Sequence, residues 1–332
     1  MDWAGAPGPQ GPPAPDGGPH QREGEKRLTN QPAESRSAFI TLIGRPNVGK
    51  SSLLNALVGE KVAIVSQKPQ TTRTRITGIL TRGPVQLVFM DTPGMHKPRT
   101  KLSEYMVKTI NSSVSDGDLA VLVVEPEGEL TAVERSLIDT IRQDRRQGVA
   151  VINKIDLVKD KTRLMGKMQE LADAFPFEAI VPVSAQEGDG VEDLLQTLEG
   201  FAVPSPHFFD DDAFTDQPEK VIAGEIIREK LLRCLSDEVP HGTAVAVEKM
   251  REQERDDLDI LDIEAVIYCE RESHKGIIIG KGGQMLKKIA SAARADLEDF
   301  FRIQVNLHCW VKVKEDWRNR EGLLRSFGYQ EP

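Results

Sequence analysis

The stretch "FITLIGRPNVGKSSLLNALVG", Phe39 to Gly59, constrains the fold more than any other part of the chain. An apolar strand runs into Gly44–Ser51, which fits GxxxxGK[ST], and then into a segment of helical period. Gly44 and Gly49 permit the tight turn, and Arg45, Pro46, Asn47 and Val48 fill the loop between them. Backbone N–H groups of such a loop turn inward, and the helix N-terminus adds its dipole, so the loop suits phosphate. Lys50 is expected to reach the β- and γ-phosphates and Ser51 to bind Mg²⁺.

The pattern that follows fits this start. Short apolar runs, "VQLVFMD", "LAVLVVE", "GVAVINK" and "AIVPVSA", alternate with helical-period segments such as Leu102–Val114, Val133–Arg142 and Val191–Leu198. Buried strands alternating with helices predict an α/β P-loop G domain over residues 38–203, a mostly parallel sheet with helices on both faces. A Pro-rich, acidic stretch, "VPSPHFFDDDAFTDQPEK", predicts a linker over 204–220, and Phe208, Phe209 and Phe214 suggest that it packs on a domain. Beyond it the chain reads α-β-β-α-β-α, a small α+β domain over residues 221–316, with the last of these helices in a C-terminal helix and tail over 317–332.

Three further motifs select the nucleotide. "DTPG" (Asp91, Thr92, Pro93, Gly94) follows a strand, where a carboxylate can hold Mg²⁺ through water and Gly94 can offer its N–H to a γ-phosphate. "NKID" (Asn153, Lys154, Ile155, Asp156) ends the next-but-one strand, and Asp156 can accept from N1–H and the 2-amino group of guanine. Adenine has no such donors, and the unpaired carboxylate would reject it by roughly 10⁴ or more. "VSA" (Val183, Ser184, Ala185) follows another strand and can give a backbone N–H to the guanine oxygen. Between the first loop and "DTPG" lies "QKPQTTRTRITG", which must supply a switch threonine over Mg²⁺; Thr72 is the choice, with Thr71 close behind. Met95 stands where Ras-like enzymes carry a water-orienting glutamine, so hydrolysis is expected to be slow or assisted. The expected cofactor is Mg²⁺, held by Ser51, Thr72 and Asp91, and the ligands are GTP and GDP.

A second glycine-lysine loop lies in "GIIIGKGGQMLKKIA", Gly276 to Ala290, whose outline is apolar strand, loop, helix. No GK[ST] follows, so a metal-binding hydroxyl is missing. Gly280, Lys281, Gly282 and Gly283 instead fit, between two helical segments, the GxxG loop with which KH domains clamp about four nucleotides of a single strand. Lys275, Lys281, Lys287, Lys288 and Arg294 occur with no acid among them up to Asp296, a basic stripe in a chain of net charge −9. Four neutralised phosphates would give a log–log salt slope of roughly −3.

Three scattered cysteines without a CxxC pair suggest neither a disulfide framework nor a zinc site. No run approaches the roughly 18 to 20 apolar residues of a membrane span. Residues 1–37 are Pro- and Gly-rich, with few large apolar groups, and are expected to be disordered.

Together, "GRPNVGKSSLLNALVG", "QTTRTRITGI", "DTPGMHKP", "NKID", "VSA" and "IIIGKGGQMLKKI…WVKVKEDWRNR…LRSFGY" resemble the bacterial Era GTPase family from Ser37 to Tyr329. The resemblance implies a GTPase domain joined to a type II KH domain. It also implies binding near the 3′ end of 16S rRNA, a role in rRNA maturation and 30S subunit assembly, and a cytoplasmic monomer with peripheral membrane contact. By position, Met95 matches a hydrophobic residue of the family, and Asn47 matches a loop asparagine that ligates K⁺ in potassium-activated relatives. Lys50, Thr72, Gly94 and Asn47 are thus the expected catalytic set. Two rival readings are a constitutive RNA-binding protein with a structural G domain and a membrane-associated GTPase.

Overall fold

The computed structural model describes residues 34–66, 68, 71–94, 100–255 and 258–329. The first part of the chain builds β1 (Arg36–Ile43), α1 (Lys50–Val58), β2 (Ile76–Arg82), β3 (Val85–Asp91), α2 (Lys101–Asp116), β4 (Leu119–Val124) and α3 (Ala132–Gln143). It continues through β5 (Gln147–Ile152), α4 (Thr162–Ala174), β6 (Ala179–Pro182), α5 (Val191–Glu199) and β7 (Val203–Pro204). The sheet order is β2-β3-β1-β4-β5-β6, parallel except for the antiparallel edge strand β2; β7 adds antiparallel pairing to the start of β1.

Alternation within the strands explains the layering. Leu42, Val121, Val123, Val149 and Val151 pack on the face that carries α1 and α5. Their neighbours Ile43, Leu122, Val124, Ala150 and Ile152 pack on the face that carries α3 and α4. Both faces are covered, so the strands are predominantly apolar. Every nucleotide motif sits at a strand end.

The acidic stretch does not hang between domains. Gln86 Oε1 accepts from the N–H groups of Phe208 and Phe209, at 2.7 and 3.1 Å, and Phe208 packs edge-on against Phe39 at 5.0 Å. Ile79 N–H donates to Phe214 O, and the Phe214 ring meets Phe300 of the next domain.

That domain consists of α6 (Glu219–Cys234), β8 (Ala244–Arg255), β9 (Leu258–Cys269), α7 (Glu272–Ile279), α8 (Gln284–Phe301), β10 (Gln304–Val313) and α9 (Glu321–Ser326). Its sheet order is β10-β9-β8, with β9 and β10 parallel, and Ile226, Ile263, Ile267, Ile289 and Leu297 share its core. One expectation needs correction. Gly276–Ile279 is the end of helix α7, in line with a GxxG loop between two helical segments and not with the apolar-strand outline; only Ile278 of this apolar run is buried in the core. The order is therefore α-β-β-α-α-β-α, with one more helix than the sequence reading.

The two domains form one compact unit from Glu34 onward. Trp317, wholly buried, lies in a small core with Leu102 and Met106 of α2, Ala244, Leu324 and Tyr329. Its indole N–H donates to Gly242 O at 2.9 Å. No helix among the described residues is long and apolar enough to cross a membrane.

Candidate nucleotide pocket and nucleic-acid loop

The first glycine-lysine loop crosses from the end of β1 to the start of α1. Gly49 has φ +95°, and a Cβ there would stand 2.3 Å from Asn153 Nδ2, so no side chain fits. Val48 is buried, and its carbonyl accepts from Asn153 Nδ2 at 2.9 Å. Asn153 Oδ1 accepts from the Ala185 N–H at 3.1 Å. One buried amide thus binds the first loop, "NKID" and "VSA" into a single frame.

Lys50 is buried, and its Nζ donates to Gly44 O and Arg45 O, at 3.1 and 3.2 Å. Burial pulls its pKa down, against the opposing charge of Asp91. Ser51 Oγ donates to Asp91 Oδ2 at 2.6 Å and lies 2.9 Å from Thr72 Oγ1, which is itself 3.2 Å from the same carboxylate oxygen. The other oxygen, Asp91 Oδ1, is buried without a hydrogen-bond partner among the described residues. Burial pushes this carboxyl above its usual range, against the pull of Lys50, Ser51, Thr72 and the Thr92 N–H. Two hydroxyls converging on a carboxylate with an unsatisfied oxygen fit a hard dication that keeps several waters. Of the two candidate threonines, only Thr72 reaches this cluster. The Thr71 hydroxyl turns away to Lys68 O at 2.7 Å.

Thr92 is tied to Leu42 O at 2.8 Å, Pro93 is buried, and Gly94 lines the same cavity as Lys50. Met95 lies outside the described residues. At the other end Ile155 is buried, while Asp156 is exposed and accepts from Ser184 Oγ at 2.6 Å through Oδ1. The cavity holds about 910 Å³, with Pro46, Asn47, Ser51, Thr72, Lys154 and Asp156 in its lining. One expectation is altered: every N–H of "VSA" is engaged inside the protein. Those of Val183 and Ser184 donate to Ile152 O and Asp189 O, and that of Ala185 to Asn153. A guanine oxygen there has to share the Ala185 donor.

Sequence reasoning missed Glu125. Its carboxylate pairs with Arg45 Nη2 and, at 2.6 Å, with Lys154 Nζ, which also donates to Asn47 O at 2.6 Å. Arg45 Nε in turn pairs with buried Glu134 at 3.1 Å. The clue was available, since Glu125 directly follows a buried strand, where the other motifs sit. Leu232 and Arg233 of α6 also line the cavity. They had no local signal, because they come from the other domain.

The second loop occupies the turn between α7 and α8. Lys281–Gly283 make one 3₁₀ turn, and Gly282 has φ +59° with open space around it. Lys281, Lys287 and Lys288 are exposed and pair with no carboxylate among the described residues. Lys275 and Arg294, the other members of the stripe, lie 3.9 Å from Glu272 and 3.8 Å from Glu298. Three cations therefore remain for a ligand.

A phosphate loop, a metal-type cluster and a guanine-type carboxylate on one doubly covered sheet define a P-loop GTPase, here carrying an α+β domain with a GxxG loop. The family model described as 50S ribosome-binding GTPase matches residues 39–154, and the KH domain model matches residues 238–318. GTPase Era of Caldanaerobacter subterraneus subsp. tengcongensis is 50% identical over 294 residues, 89% of this chain and 98% of that protein. GTPase Era of Clostridioides difficile is 45% identical over 296 residues, 89% and 99% of the two chains. A crystal structure of Era in complex with MgGDPNP and nucleotides 1506–1542 of 16S ribosomal RNA superposes with TM-score 0.85 at 34% identity, covering 89% of this chain and 99% of that one. The chain belongs to the Era GTPase family, and it hydrolyses GTP to GDP and phosphate.

Proposed function

We propose that this GTPase is a switch that docks on the 3′ end of small-subunit ribosomal RNA through its second loop, assists rRNA maturation and 30S assembly, and is released by hydrolysis. The carrying observation is the double attachment of the segment before β2. On one side Thr72 joins Ser51 and Asp91. On the other, Thr71 O accepts from Arg228 of α6, and the Val65 N–H donates to Glu229 of α6 at 3.0 Å. A γ-phosphate that reorders this segment must act on the helix that packs against α8, which starts at the GxxG loop.

In this reading Lys50 neutralises the β- and γ-phosphates, and Gly94 gives its N–H to the γ-phosphate. Ser51, Thr72 and Asp91 hold Mg²⁺, which when bound stabilises the charge on the phosphate oxygens. Asp156 accepts the two guanine donors, and Ala185 shares its N–H with the guanine oxygen. Met95 cannot orient water, so we assign Asn47 the task of helping to hold a K⁺ ion beside the phosphates. Lys281, Lys287 and Lys288 meet RNA phosphates.

The choice of subunit follows the relative solved with 16S rRNA, which shares both domains with this chain, whereas the family model that mentions the 50S ribosome covers residues 39–154 alone. Cytoplasmic location, peripheral membrane contact and the monomeric state rest on family membership only. The test is the affinity of the full chain for a single-stranded 3′-end RNA, measured with GDP and with a non-hydrolysable GTP analogue. A switch binds more tightly with the analogue, by at least severalfold; equal affinities favour the constitutive RNA-binding reading.

A further inference from the structure

The nucleotide cavity has a wall that belongs to the C-terminal domain. Four cationic side chains line it, Lys50, Lys68, Lys154 and Arg233. Lys50 donates to two loop carbonyls and keeps a third N–H for the β- and γ-phosphates, Lys154 is held by Asn47 O and Glu125, and Lys68 donates to Leu235 O. Arg233 also keeps unused donors. Its Nη2 donates to Val65 O at 3.2 Å and to Glu229 Oε1 at 2.9 Å, while Nε and Nη1 meet no acceptor among the described residues.

Its placement is fixed from both sides. Glu229 is wholly buried and also accepts from the Val65 N–H, so guanidinium, carboxylate and switch backbone hold one another. The Arg233 side chain is 52% exposed, which leaves its remaining donors accessible. A polyphosphate brings several negative charges into this cavity, and a guanidinium with unused donors is the complementary group. The segment enters the lining at Ile64 and Val65 and reaches the metal cluster at Thr72. Arg233 is thus fastened to the segment at Val65, seven residues before the metal-cluster residue Thr72.

We propose that Arg233, a residue of the RNA-binding domain, contacts the α-phosphate of bound guanine nucleotide, so that the pocket is completed across the domain boundary. This rests on the reading of the cavity as the nucleotide site.

The test is nucleotide affinity of the full chain, with guanosine, GMP, GDP and GTP as probes. Arg233→Ala is expected to weaken GMP, GDP and GTP alike by about tenfold, the worth of one charge-assisted hydrogen bond, and to leave guanosine unchanged. Arg233→Lys, which keeps a charged donor, should recover part of the loss. Arg233→Met retains the stem along α6 and reads the same contact if the alanine variant does not fold. Unchanged affinity for all four probes overturns the proposal. So does a loss that includes guanosine, which would make Arg233 a prop for the pocket, or a loss confined to GTP, which would place its action at the switch. Failure of the wild type to bind GDP would instead overturn the nucleotide reading.

Discussion

Glu229 is the most consequential side chain between the two domains. Its carboxylate accepts from the Val65 N–H at 3.0 Å and pairs with Lys61, Lys230 and Arg233 at 2.8, 2.9 and 2.9 Å. Asp296 of α8 shares Lys61 and Lys230. Glu229→Gln keeps the shape and the bond to Val65 but removes the charge that three cations face. Breaking a fully buried pair costs roughly 3–5 kcal/mol. Here Lys61 is 35% exposed and Arg233 52%, and Lys230 keeps Asp296, so solvent and the second carboxylate return part of that. The expected loss is about 2 kcal/mol at pH 7. Burial raises the Glu229 carboxyl, but the bonds to Lys61, Lys230 and the Val65 N–H outweigh it and hold the group below its ordinary value of 4.5. A carboxyl lowered by folding contributes stability that is fully present above its unfolded pKa and is lost as pH falls through the folded one. Wild type and variant should therefore differ fully above pH 4.5 and converge in more acidic solution. Urea unfolding followed by tryptophan fluorescence measures both. A loss under about 0.5 kcal/mol at neutral pH, or a gap that does not narrow in acid, would refute this account of the interface.

Asp156→Asn should weaken GTP and favour xanthosine triphosphate, because an amide donor then faces the xanthine C2 carbonyl; unchanged kcat/KM for GTP would remove Asp156 from the base site. Hydrolysis should rise when K⁺ replaces Na⁺ at equal ionic strength, and Asn47→Ala should abolish the difference; equal rates in the two salts would point to another group. With three unpaired cations at the second loop, and a slope of about −0.7 for each, the log–log salt dependence of single-strand binding should be about −2. A slope near zero would mean that Lys281, Lys287 and Lys288 do not meet phosphate.

The G domain was legible because its chemistry is local. Each motif ends a strand, and strand ends are where polar groups survive between two apolar layers. Thr72 was preferred to Thr71 by only a narrow margin, since the backbone path is what turns one hydroxyl to Lys68 O and the other to Asp91. Helix α7 was left out of the element order because "GIIIG" has no period to distinguish helix from strand, although the GxxG loop pointed to a helical segment on each side. The interdomain network was illegible for a different reason. Lys61, Glu229 and Asp296 are ordinary surface charges in sequence, and their pairing is a product of how two cores meet. The salt expectation shifted for the same reason, as Glu272 and Glu298 lie beside two of the five stripe cations.

The central claim is that the two glycine-lysine loops hold different ligands. Lys281→Asp puts one negative charge in place of a positive one on an exposed loop; Gly282 is left alone because its φ of +59° would add backbone strain. One lost contact and one new repulsion, about 1 kcal/mol each, should weaken single-stranded RNA binding roughly tenfold to thirtyfold. Filter binding of 3′-end RNA and GTP affinity, measured on one preparation of the full chain, test this most directly. Weakened RNA binding with GTP affinity retained is the expected result; RNA binding intact with GTP binding lost would mean that the two loops hold the opposite ligands.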